Sequence, residues 1–457
     1  MNSLRRIPLL VVLALLFAAT GVVGSLSHAV NPSQLPSSLV PQNQVESTAL
    51  YCTGLTSAKD GAAGHVTLLN TVNEVRHLTI TIKSDTGLSS TRAAKIAPHG
   101  SLRFDPSAGL TGSDYGVEVQ VSGGGVLGTE IPNAHTGESP CISNGVTSWY
   151  ASGFDTTVGS RAELSVFNPT ATPAVFNVST YSSTGFVAPA KFQGYSVGPH
   201  DQAELNLGSQ IVDMSDVGVR VKVLRGAIDI VGVQQSGSVV SFNAGVASPS
   251  TAALFPLVTT ANLATAQLRI SNPTSRPATV RFNVALAPFH IPVQSLSVAP
   301  FSSAVEVITP NPVIPAQRYA TVRVSSKVPV VVTLATGTGT ALALSAPGTP
   351  ESAFLLSDFT GRGFDGATVT NTSPRAIALS FTVLSGNGSP PSTVAGSLSA
   401  NTTANILTVL TTSKKRLLTT LQHATLLVVT ARPVLLVMLT LPTKPIGMSV
   451  VAPLDGR

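Results

Sequence analysis

The chain has 457 residues, of which 43% are hydrophobic and only 11% charged, with 27 Lys and Arg against 21 Asp and Glu for a formal charge of +6. That length is too great for one core, and soluble domains average about 25% charge, so several strand-rich domains plus a membrane segment are expected. Basic residues are spread singly and aromatics make up 5%, which excludes the basic stripe and stacking platforms of a nucleic-acid binder.

The N-terminus reads "MNSLRRIPLLVVLALLFAATGVVGSL", with Arg5 and Arg6 ahead of an uncharged run from Ile7 past Val23. A run of that length approaches the roughly 17 to 20 residues that cross a bilayer. Residues 1–27 are therefore expected to be a signal-anchor transmembrane helix. The next Lys or Arg is Lys59, so the positive-inside bias puts the N-terminus in the cytoplasm and the rest outside. Cleavage and secretion is the alternative, with Ser27 and Ala29 as the small residues of a peptidase site. Residues 28–48 are Ser- and Pro-rich without hydrophobic period and read as a linker.

Cys52 and Cys141 are the two cysteines. In an exported chain a single pair is expected to form a disulfide. Neither has a histidine or a second cysteine at zinc-ligand spacing, so no metal and no cofactor is expected.

Beyond the linker the chain repeats itself about every hundred residues around a turn asparagine: Asn70, Asn168, Asn272 and Asn371. "LSVFNPTATPAVFNV" (164–178) and "LRISNPTSRPATVRFNV" (268–284) are the clearest copies. After each asparagine comes a period-2 apolar strand: Leu78, Ile80, Ile82; Phe176, Val178, Thr180; Val280, Phe282, Val284; and Leu379, Phe381, Val383. The asparagine is expected to close an Asx-type turn, accepting from backbone just downstream. A second turn recurs in "KIAPHGSLRF", "SVGPHDQAEL", "SVAPFSSAVE" and "SLSANTTANI", followed by what reads as a hairpin, "GVEVQVSGGGVLGTEI" in the first copy.

Each copy thus holds about seven short strands, which predicts an all-β chain of tandem immunoglobulin-like β-sandwich repeats after the transmembrane helix. The expected domains are 49–143, 147–248, 251–348 and 351–457. A four-bladed propeller is the architectural rival, although its blades need only about 40 to 50 residues.

The strand "SWYASGF", then "AELSVFNPTATPAVFNVSTYSSTG" and "VGPHDQAELNL", resembles the actinobacterial envelope family of domain of unknown function 5719. The likeness is sharpest over residues 148 to 247. It implies an anchored, all-β, extracytoplasmic protein and brings no catalytic residues.

A search for chemistry returns little. "GGGVLG" formally carries G-x-G-x-x-G at Gly123, Gly125 and Gly128, but it joins two strands and Pro132 blocks the helix a phosphate would need. The eight histidines show no zinc spacing, and His99 and His200 fall in turns where the other copies have Phe301 and Asn401. Asp213 with Asp216, and Asp358 with Asp365, are the close carboxylate pairs that could be tested for calcium. Lys414, Lys415 and Arg416 form a basic loop that could touch an anionic polymer, and Trp149 could contact a glycan. The expected function is non-enzymatic: an envelope scaffold or protein-interaction module. The alternatives are a binding module for anionic wall polysaccharide and an accessory subunit of an envelope-biogenesis enzyme.

Overall fold

A computed structural model describes residues 47–57, 63–131, 139–236, 239–259, 264–286, 289–309, 318–338, 341–345, 351–356, 367–384, 392–405, 409, 425–440 and 447–450. The expected anchor and most of the linker lie outside these residues, as do Lys414, Lys415, Arg416, Asp358 and Asp365. Among the described residues no helix is long and apolar enough to cross a membrane.

The first module runs β1 (Ser47–Thr56), β2 (His65–Asn70), β3 (Arg76–Ser84), β4 (Ser89–Ile96), β5 (Ser101–Phe104), β6 (Asp114–Ser122), β7 (Val126–Ile131) and β8 (Ser139–Pro140). These pair antiparallel in two sheets, β1-β6-β3-β4 and β5-β2-β7-β8. Alternation turns Leu78, Ile80 and Ile82 of β3 and Val117, Val119 and Val121 of β6 inward, against Val66 and Leu68 of β2. One core between two sheets is a β-sandwich, not a propeller blade.

The second module repeats the plan with β9 (Ser148–Phe154), β10 (Ser160–Phe167), β11 (Ala174–Ser182), β12 (Gly185–Val187), β13 (Tyr195–Val197), β14 (Gln202–Asn206), β15 (Val217–Arg225), β16 (Asp229–Ser236) and β17 (Val239–Asn243). Its sheets are β12-β11-β15-β9, with β13 also on β11, and β14-β10-β16-β17. The core again mixes both: Phe176 and Val178 face Leu164 and Val166. The predicted apolar triplets are buried in all four copies.

The expected hairpin is corrected. β6 pairs with β1 and β3 while β7, only a short turn later, pairs with β2 and β8. The chain crosses between sheets there, because the inward residues on both sides of the turn face one core from opposite walls. In the third module the crossing is a single strand, Arg318–Thr338. Its first half pairs with Ser250–Thr259 and Ala278–Leu286, its second with Ala264–Asn272 and Ala341–Ser345. Thr425–Thr440 does the same in the fourth. Pro329 and Pro433 sit where the ladder partner changes, so their missing N–H interrupts no ladder. The last two strands of each of the first two modules, β7 with β8 and β16 with β17, share one sheet, and it is the preceding step, β6 to β7 and β15 to β16, that crosses between the sheets.

The modules all fall within one compact unit, Asn43–Arg457. Successive sandwiches stack by their outer sheet faces: β1 of the first meets β10 and β16 of the second, and β9 and β15 of the second meet Ala264–Asn272 of the third.

Candidate functional site

The repeated asparagines are fully buried. Asn168 Nδ2 donates to the carbonyls of Thr172 (2.8 Å), Val197 (3.1 Å) and Gly198 (2.7 Å), and its Oδ1 accepts from Thr170 N at 2.9 Å. Asn70, Asn272 and Asn371 make the same four kinds of contact. The expected Asx turn is present, but the amide does more than close it. It also ties the turn to the second recurring turn, some thirty residues on. There His99, His200, Phe301 and Asn401 occupy equivalent left-handed positions, with φ of 52°, 48°, 52° and 50°. Each N–H returns to the first turn, as from His200 to Thr170 O at 3.2 Å. Three residue types at one backbone position, His twice, Phe and Asn, leave the histidines a turn role.

Cys52 and Cys141 are bonded, as expected, joining β1 to the residue after β8 and so one sheet to the other. The carboxyl of Glu130 lies within 4.8 Å of both sulfurs. Trp149 is 2% exposed, stacks near Phe154 and donates Nε1–H to Ala244 O at 2.7 Å. No face of the ring is left for a sugar, so the glycan-contact expectation is withdrawn for this residue. Asp213 is exposed and Asp216 buried, so that pair does not converge on one ion.

The densest polar chemistry among the described residues lies between the first and second modules. On β6 the outward residues Asp114, Gly116 and Glu118 are as buried as the inward Tyr115 and Val117, because the second module covers them. Gly116 permits this: a Cβ there would stand 2.7 Å from Phe167 Cδ2. Tyr51 and Phe167 pack at 5.9 Å, and Thr53 Oγ1 meets Ser165 Oγ at 3.3 Å. His200 Nδ1 lies 3.0 Å from Glu118 Oε2, and Arg161 Nε 2.7 Å from Glu163 Oε1.

Four further carboxyls at this contact are pushed upward by burial. Desolvation raises Asp229 to about 8 and Asp114 to about 6. It holds Glu130 well above the usual carboxyl range, reinforced by the Asp229 charge. Glu204 is likewise pushed up, first by burial and then by Asp114. Composition gave no hint of this cluster, since acids on alternate strand positions read as a solvated face. The available signal was glycine inside a strand, Gly116 and again Gly218, which marks close approach of another backbone.

The second and third modules meet through smaller groups. Ser152 Oγ and Ser271 Oγ lie 2.8 Å apart, and Ser303 Oγ donates to Asp216 O at 2.7 Å. Gly218 again leaves no room for a side chain, here because of Ser271. Burial lifts Asp216 to about 6, opposed by the nearby Arg269. Thr321 and Thr403 hydroxyls, 2.9 Å apart, join the third module to the fourth.

No curated protein matches the chain. Among solved structures it aligns with the crystal structure of Thermotoga maritima 1070 at 17% identity and TM-score 0.19, covering 21% of this chain and 89% of that one. A tetra-tandem repeat in the extending region of a large adhesion protein aligns at 12% identity and TM-score 0.11, covering 90% of this chain and all of that one. At these scores neither bears on fold or function. Residues 139–246, which span the second module with its Trp149 strand and Asn168 corner, match the model of the family of unknown function DUF5719.

Proposed function

We propose that this chain is a non-enzymatic, membrane-anchored, extracytoplasmic protein of an actinobacterial cell envelope that acts as a scaffold or protein-interaction module. Residues 1–27 anchor it and residues 28–48 space it from the bilayer. Its modules are immunoglobulin-like in size and strand number, with their own strand order. The observation that carries the reading is the stacking of each sandwich on the next through buried outer faces. Such a stack holds loops and sheet edges at fixed positions along its length, which is what a scaffold needs. The disulfide fits an oxidising compartment.

Crosslinking of a tagged copy in its native host, followed by mass spectrometry, tests this. Reproducible capture of one envelope protein is the expected outcome. Turnover of a wall substrate by the purified protein, lost on changing one residue, would sink the reading. A second reading, binding of an anionic wall polysaccharide, rests on the basic run Lys414, Lys415 and Arg416 and the net charge of +6. It requires salt-sensitive glycan binding that disappears when all three become alanine.

A further inference from the structure

We propose that the contact between the first and second modules is a proton-responsive joint, closed when its buried carboxyls are neutral and loosened when they ionise.

The argument begins with charge. From the first module β6 contributes Asp114 and Glu118, and β7 contributes Glu130. From the second, β10 contributes Glu163, β14 Glu204 and β16 Asp229. Against these six acids the described residues set one guanidinium, Arg161, already paired with Glu163, and one imidazole, His200, paired with Glu118. Asp85 adds a further acid near Asp114, and β1 supplies Tyr51 and Thr53 without a cation. Glu130 Oε2 and Glu204 Oε2 are buried without a hydrogen-bond partner among the described residues. The remaining donors are neutral, the Thr53 N–H for Glu130 and the Ser165 and Gln202 side chains for Glu204. A buried carboxylate with one oxygen unpartnered and no cation paired to it is costly, and a neutral carboxyl is tolerated.

Five of these acids sit on outward faces between two sandwiches, each with its own core; Glu130, opposite Val66 and beside the disulfide, lies inside the first module and acts on the joint through Asp229. Opening the contact rehydrates the five without unfolding either module, so the strain has a low-cost release at this joint. The junction between the second and third modules differs: its buried acid, Asp216, faces Arg269.

The sign follows from proton linkage. A carboxyl whose pKa is raised by closure binds more protons closed than open, so closure is favoured at low pH and weakens as pH rises from about 4 toward the raised value. Asp229, held at about 8, spans the widest window. Within that window one such group changes the open-to-closed ratio about tenfold per pH unit.

The test uses the full-length protein with its disulfide intact and spin labels at Thr91→Cys and Lys191→Cys, both exposed, one on each module. The inter-label distance distribution is read at pH 5.5 and pH 8.5. A single narrow distance at the lower pH, and at least a tenfold rise in the fraction of longer distances at the higher, is expected. In an Asp229→Asn/Glu204→Gln background, which copies the shape of the neutral acids, the narrow distance is expected at both pH values. Glu204→Gln alone gives a reduced response and guards against misfolding of the double variant. Identical distributions for the parent at both pH values, or a full response in the double variant, would overturn the proposal. Labels at Lys191→Cys and Val293→Cys report the next junction, whose one raised acid is opposed by Arg269 and which should respond less than the first.

Discussion

At Asn168 one side-chain amide satisfies three carbonyls that strand pairing leaves over, and its oxygen holds the turn that begins the next strand. Removing it strands several buried acceptors at about 1–3 kcal/mol each, partly recovered by relaxation. Asn168→Ala should therefore destabilise the second module by about 3 kcal/mol. Trp149, the one tryptophan, lies in that module's core, so its fluorescence during urea unfolding reads the change directly. Asn168→Asp should be worse, since it turns a donor into a charge facing three carbonyls. At His99 the left-handed backbone makes a different demand: a β-branched residue is disfavoured there, so His99→Val should lower stability by about 1–2 kcal/mol while His99→Asn should be silent. The asparagine's existence was legible because it recurs with its strand. Its reach to a second turn was not, because nothing in a sequence pairs Asn168 with Gly198.

Strands were legible wherever one face met a core, since Leu78, Ile80 and Ile82 alternate with polar neighbours. Their partners were less so. A short turn between two strands ordinarily makes a hairpin, and the text of "GVEVQVSGGGVLGTEI" contains no mark that its halves belong to different sheets. Prolines at positions 329 and 433, inside otherwise continuous strands, were the one hint. The outward faces are hard to read for a similar reason. Asp114 and Glu118 look like solvated positions, and only Gly116 between them betrays a covering surface. A Cβ at Gly218 would collide with the Ser271 hydroxyl, so Gly218→Ala should loosen the junction between the second and third modules by about 1–3 kcal/mol. The readout is loss of cooperativity between their unfolding transitions, with each module's own midpoint nearly unchanged.

Across the whole molecule, stability is shared between sandwiches and the contacts joining them. The Cys52–Cys141 bond closes a loop with a sequence separation of 89, for which chain entropy gives about 4.6 kcal/mol. Reduction should lower the first module's transition by an amount of that order and leave the Trp149 signal's midpoint largely in place. A circular-dichroism melt followed beside fluorescence separates the two. Protonation acts on the joints. Asp216, raised to about 6 by burial, binds its proton more tightly when the second junction is closed, so it opposes that junction as pH climbs from about 4 through 6. Asp216→Asn should remove that dependence at the second junction, seen as a distance distribution between labels at Lys191→Cys and Val293→Cys that no longer changes with pH.

The strand that changes sheets, Arg318–Thr338, carries one last implication. In a sandwich whose sheets meet only through side chains, a pull that separates them is resisted by packing and loop connections. Here a single backbone is woven into both walls at mid-length, with Ala278–Leu286 on one side and Ala264–Asn272 on the other. Prising the walls apart loads covalent bonds and two hydrogen-bonded ladders in shear together. The third module, and the fourth through Thr425–Thr440, are thus bound along a spine, as the pages of a book are, and should yield to tension later than the first two.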